Sequence, residues 1–199
     1  MFTGIVEETG TVRKVVSQKN LRIITLTADR VVQGTKVGDS ICVDGVCLTV
    51  TAKQVKSLTF AIMKETMTAT TLHAVRPGTR VNLERALTLN SRIGGHFISG
   101  HIDGVGVVQK KISRDNYVEY QVALKAALMR YVVPKGSVCI DGISLTVGAV
   151  GRGFFSVYLI PHTLTVTTIG TKGAGDKVNV ETDLVAKYIL QDRPGSRKT

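Results

Sequence analysis

Along most of this chain, apolar and polar residues alternate in short runs instead of recurring at helical spacing. Val118, Tyr120, Val122 and Leu124 are separated by Glu119, Gln121 and Ala123, the period-2 pattern of a strand with one buried face. Residues Leu21 to Thr27 and Val178 to Thr182 read the same way. Turn signals such as Lys36-Val37-Gly38-Asp39 and Arg76-Pro77-Gly78-Thr79 interrupt the runs at short intervals. Helical spacing is confined to a turn or two near Leu128 to Val132 and to the C-terminal end. There Asp183 can cap a helix whose apolar stripe, Leu184, Val185, Tyr188 and Ile189, stops before Pro194-Gly195. A helix of that kind docks on a core or makes an oligomer contact.

The pattern occurs twice. Thr3-Gly4-Ile5-Val6-Glu7 returns as Ser99-Gly100-His101-Ile102-Asp103, 96 residues on. Ser40-Ile41-Cys42-Val43-Asp44-Gly45-Val46-Cys47-Leu48-Thr49-Val50 returns at an offset of 97 as Ser137-Val138-Cys139-Ile140-Asp141-Gly142-Ile143-Ser144-Leu145-Thr146-Val147. Thr66, Thr70 and Thr71 match Thr163, Thr167 and Thr168, and Gly78, Val81, Asn82 and Glu84 match Gly175, Val178, Asn179 and Glu181. Four blocks in one register, with a single-residue insertion between the first two, define two copies of one domain, 1–87 and 94–183, followed by a helix and basic tail, 184–199. About six short strands per copy suit a small closed barrel. The expected architecture is therefore mainly β: two tandem six-stranded antiparallel Greek-key barrels related by duplication, plus a short C-terminal helix. Roughly ninety residues bury a modest core, so each copy gains from packing on the other or on another subunit.

Composition narrows the function. The 199 residues include 26 Lys and Arg against 15 Asp and Glu, a net charge of +11. That excess is even: 13 basic and 7 acidic residues in the first 96, then 13 and 8. With five Tyr, five Phe and no Trp, stacking platforms are scarce, and no nucleic-acid partner is expected. No apolar run reaches the roughly 20 residues of a membrane span. The N-terminus lacks the basic and apolar regions of a secretory signal, and three cysteines make an odd count; reduced thiols and a cytoplasmic location are expected. Gly104-Val105-Gly106 and Gly173-Ala174-Gly175 lack a strand-to-helix context, so no dinucleotide fingerprint is read. His96 and His101 stand five residues apart, on opposite sides of any strand and with no third ligand, so no metal site is expected.

Where two copies agree, the residue serves the fold; where they disagree, it can serve chemistry. Cys47 faces Ser144, Ile5 faces His101, and Lys64-Glu65 faces Pro161-His162, whereas Cys42 and Cys139 match and read as small buried apolar residues. A thiol is nucleophilic only as thiolate, which needs electropositive surroundings. Histidine suits proton transfer near neutral pH. Cys47 and Thr49, like Ser144 and Thr146, project to one face of their strand.

Six spaced motifs then carry a resemblance: Met1-Phe2-Thr3-Gly4-Ile5-Val6, Asp44 to Val50, Met63-Lys64-Glu65-Thr66, Gly94-Gly95-His96-Phe97-Ile98-Ser99-Gly100-His101, Asp141 to Val147, and Ile160-Pro161-His162-Thr163-Leu164. Over essentially its whole length the chain resembles the riboflavin synthase family of the α-subunit type. The resemblance implies a dismutation without cofactor or metal, in which one 6,7-dimethyl-8-ribityllumazine gives a four-carbon unit to a second. The products are riboflavin and 5-amino-6-ribitylaminouracil. It implies catalytic roles for Cys47, His101, Ser144 and Thr146, with His101 relaying a proton of the lumazine C7 methyl group. In the first copy it assigns substrate contacts to Gly4, Ile5, Val6, Ser40, Leu48 and Thr49, and along the next strand and turn to Ala61, Ile62, Met63, Lys64, Glu65 and Thr66. In the second copy it assigns them to Gly100, Ile102 and Leu145, then to Tyr158, Leu159, Ile160, Pro161, His162 and Thr163. Lys135 would approach a neighbouring subunit's ligand. A homotrimer is implied, with each working site joining the N-terminal barrel of one subunit to the C-terminal barrel of the next, and with association with lumazine synthase as a further partner. Val46 departs from members with a second cysteine there, and the C-terminal helix is short. Non-catalytic lumazine- or flavin-binding antenna proteins share the duplicated barrels and form the rival reading.

Overall fold

A computed structural model describes residues 1–191. In the first repeat β1 (Glu8–Gln18), β2 (Leu21–Thr27), β3 (Ser40–Val43), β4 (Val46–Gln54), β5 (Ser57–Met63) and β6 (Arg80–Arg85) close an antiparallel barrel in the order β1-β2-β5-β4-β3-β6. In the second, β7 (Gly104–Ser113), β8 (Val118–Ala123), β9 (Ser137–Ile140), β10 (Ile143–Gly151), β11 (Phe154–Leu159) and β12 (Lys177–Thr182) repeat that order. The expected barrels are thus present. The bulges repeat too: β1 shifts register between Val12 and Lys14 and β7 between Val108 and Lys110. β4 shifts after Val50 and β10 after Val147. Such bulges sharpen strand twist and help a six-stranded sheet curl shut.

Alternation fills each barrel. Val46, Leu48 and Val50 of β4 turn inward onto Ile24, Phe60 and Leu83, while Cys47 and Thr49 turn outward. The second core repeats this with Ile143, Val147, Phe155 and Val180. At the hairpins between β3 and β4 and between β9 and β10, Asp44 and Gly45 (φ 44° and 84°) and Asp141 and Gly142 (φ 46° and 79°) adopt the left-handed geometry of a tight primed turn.

β6 and β12 are buried on both faces because the barrels meet there. Asn82 Nδ2 donates to the Asp141 carbonyl (2.8 Å) and Asn82 Oδ1 accepts from Thr168 N (2.8 Å). Asn179 reciprocates, donating to the Asp44 carbonyl (2.8 Å) and accepting from Thr71 N (2.8 Å). Buried hydrogen bonds of this kind contribute about 0.5–1.5 kcal/mol each. Cys42, Cys139, Phe2 and Ile98 form a small apolar cluster of their own. Burial pushes both the Cys42 and Cys139 thiols well up, which fits their reading as packed apolar residues.

Four α-helices, α1 (Lys64–Ala69), α2 (Ala126–Met129), α3 (Pro161–Val166) and α4 (Leu184–Gln191), and two 3₁₀ turns, Thr71–Ala74 and Thr168–Thr171, complete the described chain. α2 matches the helical turn expected near Leu128. Asp183 Oδ1 accepts from Val185 N (2.9 Å), capping α4 as expected. On α4, however, Val185, Tyr188 and Ile189 are exposed, so most of the apolar stripe does not dock on either barrel. Pro194-Gly195 and the basic tail from Arg193 to Thr199 lie outside the described residues. No helix among the described residues is long and apolar enough to cross a membrane.

Candidate functional site: two crossed half-sites

Each repeat sends its leading segment onto the other repeat's barrel. The Gly4 carbonyl accepts from Ser144 N (2.9 Å) on β10, and the Gly100 carbonyl accepts from Cys47 N (2.9 Å) on β4. Val6 packs against the second core and Ile102 against the first. Glycine is required at both crossings. Gly4 (φ 78°) and Gly100 (φ 83°) are left-handed, and an added Cβ would come within 2.5 Å of Ser144 N or of Cys47 Cβ.

Two carboxylates hold these segments. Glu84 accepts from Thr3 N, Thr3 Oγ1 and Gly4 N at 2.7, 2.7 and 2.9 Å. Glu181 accepts from Ser99 N, Ser99 Oγ and Gly100 N at the same distances, 2.7, 2.7 and 2.9 Å. Burial raises the Glu84 carboxyl, and its three donors pull the other way. The segments leading into the two repeats also pair directly, Phe2 with Ile98 in an isolated antiparallel bridge.

The first half-site gathers on the outer face of β4. Cys47 is half-buried and is the one cysteine not fully buried; Thr49, one pleat along, is exposed, and Ser40 pairs with it across the ladder. Gly100 lies over Cys47, and His101, next along the chain, is exposed. The end of β5 and α1 supply a rim: Ala61 and Thr66 half-buried, Met63, Lys64 and Glu65 exposed. Ser40 also lines an open cleft of about 880 Å³ with Thr3, Ile5, Glu84, Arg85 and Arg92.

The second half-site is built alike on β10. Ser144 is half-buried and Thr146 exposed, with Gly4 lying over Ser144; Ile5, next along the chain, is 50% exposed and borders Gly94. Its rim is Tyr158 and Ile160, then Pro161, His162 and Thr163 of α3. Tyr158 meets Tyr117 edge-on, with ring centroids 5.5 Å apart, where the first repeat has only Ala61 and Leu21. Thr66 and Thr163 play one part in both copies, their carbonyls accepting from Thr70 Oγ1 (2.7 Å) and Thr167 Oγ1 (2.6 Å).

Some of the expected contacts divide between side chain and main chain. Leu48, Ile62 and Leu159 are 5%, 0% and 1% exposed, pointing into the barrel cores, and Leu145 packs partly on the second core. For Leu48, Ile62 and Leu159 only main-chain groups can face a ligand. Lys135 stands exposed at φ 64° on the turn before β9, at the place of Gly38 in the first repeat, and none of its hydrogen bonds reaches either half-site. The crossing itself was not expected: Gly4 stands with Ser144 and Gly100 with Cys47, while Val6 and Ile102 reach the opposite barrel cores. His96, weighed in the sequence only as a metal ligand, sits with its Nδ1 2.6 Å from Ser144 Oγ. Among the described residues no group of three or more His, Cys, Asp or Glu could hold a metal.

Two tandem barrels with paired half-sites of one design are the architecture of the lumazine-binding domain family, as its profile match shows. The lumazine-binding domain profile matches residues 3–86 and 99–183, and the chain belongs to that family. It is 44% identical to the riboflavin synthase of Actinobacillus pleuropneumoniae over 96% of this chain and 89% of that one. It is 40% identical to the riboflavin synthase of Bacillus subtilis strain 168 over the same shares, 96% and 89%, and 43% identical to that of Mycobacterium bovis over 95% and 96%. In fold it superposes on LumP complexed with 6,7-dimethyl-8-(1'-D-ribityl)lumazine at a TM-score of 0.83 and 23% identity, covering 92% of this chain and 99% of that one.

Proposed function

We propose that this protein is a riboflavin synthase: it converts two molecules of 6,7-dimethyl-8-ribityllumazine into riboflavin and 5-amino-6-ribitylaminouracil. The observation that carries this reading is the pair of like-built half-sites with unlike chemistry, joined to relatives of that name at 40–44% identity over nearly the whole chain. A reaction between two copies of one molecule needs two similar clefts but different roles for the two occupants. Holding the reactants in register contributes effective molarities of roughly 10⁵–10⁸ M.

In this reading each half-site takes one heterocycle on the outer face of β4 or β10, with Thr49 or Thr146 and the threonines of α1 and α3 placed to read its edge. Cys47 is the nucleophile or proton acceptor of the first half-site and His101 the proton relay over it; Ser144 and Thr146 serve the second. No step calls for a metal or a cofactor. The productive site joins the first half-site of one subunit to the second of its neighbour in a homotrimer, with Lys135 approaching the neighbour's ligand. The exposed stripe Val185, Tyr188 and Ile189 supports an oligomer contact through α4. The enzyme works in the cytoplasm, where lumazine synthase is the partner able to supply its substrate. The test is turnover of the lumazine by purified protein freed of metal and cofactor. Formation of riboflavin supports the reading; tight binding with no riboflavin formed assigns the chain to the antenna-type role instead.

A further inference from the structure

We infer that His96 is a positioning residue that accepts the hydroxyl proton of Ser144, making the serine oxygen the proton acceptor of the second half-site. This rests on the proposed reaction and extends it to a residue with no assigned role. His96 Nδ1 and Ser144 Oγ stand 2.6 Å apart, and both side chains are half-buried. The main chain fixes both ends of the pair. His96 N donates to the Thr3 carbonyl (3.1 Å), and Ser144 N donates to the Gly4 carbonyl (2.9 Å). Gly95 is wedged between them: a Cβ there would lie 2.1 Å from the Thr3 carbonyl oxygen and 2.6 Å from Ser144 Cβ. The backbone that carries the imidazole therefore cannot shift without displacing the crossing segment, and the ring itself is held by its bond to Ser144.

Burial lowers the His96 pKa; the carboxylates of Asp183, before α4, and Glu181, on β12, act against that but do not overcome it. The ring is neutral at pH 7, and in its Nε2–H tautomer Nδ1 accepts from the Ser144 hydroxyl. When Ser144 Oγ takes a proton from the carbon acid of the bound heterocycle, the C–H bond breaks and an Oγ–H bond forms. The original hydroxyl proton passes to Nδ1, and the electron pair stays on the heterocycle. A protonated His96 would instead donate to Ser144 and leave its oxygen unable to act this way, so activity falls as pH drops through the lowered His96 pKa. In the first half-site no histidine among the described residues bonds to Cys47, consistent with a different role there.

The test is steady-state turnover of 6,7-dimethyl-8-ribityllumazine by the full chain carrying His96→Ala, His96→Asn, Ser144→Ala, and His96→Ala with Ser144→Ala. His96→Ala should lower kcat on the order of 10²-fold with KM within about threefold. His96→Asn, which keeps an acceptor near Nδ1 but does not titrate, should fold as wild type, recover part of kcat and lose the acid limb of the rate profile. The double variant should be no slower than the slower single variant, because the two residues act as a unit. Wild-type kcat in His96→Ala, single effects that multiply in the double variant, or an unchanged acid limb in His96→Asn would each overturn the inference. An inactive wild-type protein would instead sink the proposed reaction.

Discussion

The two half-sites share a frame to within a tenth of an ångström in their Glu84 and Glu181 hydrogen bonds, yet they offer a ligand different chemistry. The first presents a thiol, an exposed histidine and the charged pair Lys64-Glu65. The second presents a hydroxyl bonded to an imidazole, a tyrosine wall and Pro161-His162. The differences fall on outward positions of β4, β5, β10 and β11, on α1 and α3 and on the leading segments, whereas inward strand positions stay apolar and similar in size: Val46 and Ile143, Leu48 and Leu145, Val50 and Val147. A barrel core tolerates little change in volume, while its outer face carries no such limit. Duplication therefore supplied two clefts of one shape, and later divergence could act on their chemistry alone.

The largest predicted effects come from closing either crossing. Gly4→Val or Gly100→Val forces a β-branched residue into left-handed backbone, costing about 1–2 kcal/mol, and overpacks the contact with Ser144 or Cys47 by about 1–3 kcal/mol more. Either change should reduce turnover by more than roughly 10²-fold, with a lowered melting temperature. If one variant kept its rate while the other lost it, the need for both half-sites would be broken.

Cys47→Ser makes the repeats alike at their sharpest difference. Turnover should fall on the order of 10²-fold, while lumazine affinity, read by ligand fluorescence, stays near wild type. Full activity would make the thiol structural.

The barrel interface should respond symmetrically. Asn82→Ala and Asn179→Ala each strand buried partners on the opposite barrel and should cost about 1–3 kcal/mol in denaturant unfolding. The two values should be equal within about 0.5 kcal/mol; a marked inequality would show that the pseudo-symmetric bonds are not equivalent.

The smallest effect sharpens a hidden asymmetry. Lys172 Nζ lies 3.3 Å from the buried Asp141 carboxylate, and the position matching Lys172 in the first repeat is Val75. Burial, then repulsion from Asp141, pushes the Asp44 carboxyl well above its usual range. Burial also raises Asp141, with Lys172 pulling it back. Burial opposes the Lys172 charge, but Asp141 and Asp44 outweigh it and raise its pKa. The folded chain thus holds a proton on Asp44 that the unfolded chain releases, so this group makes stability fall as pH rises from about 4 through the raised value. Asp44→Asn should flatten that decline and leave neutral-pH stability at or above wild type. Asp141→Asn leaves Lys172 without its nearest carboxylate and should lower it. Urea unfolding from pH 4 to 8 decides between these outcomes.

Much of this was legible in the residues. Strands from Leu21 to Thr27 and around Val118 and Val178 follow from period-2 alternation, and the duplication follows from four blocks in one register. Helices α1 and α3 were not legible: at six residues each they are too short to show a helical period, and Pro161 at the head of α3 was the one local signal. The crossing of residues 4–6 and 100–102 onto opposite barrels was hidden because it depends on main-chain carbonyls, which carry no sequence identity. The glycines at 4 and 100, repeated at the crossings, were its trace. His96 was missed because its partner lies 48 residues away and no spacing rule joins them.

The most direct measurement is a fluorescence titration of the slowed Cys47→Ser chain with 6,7-dimethyl-8-ribityllumazine, counting molecules bound per chain. Two are predicted, one in each half-site, with Gly4→Val or Gly100→Val added to the same chain removing one apiece. A saturating count of one, unchanged by either glycine substitution, would contradict the account.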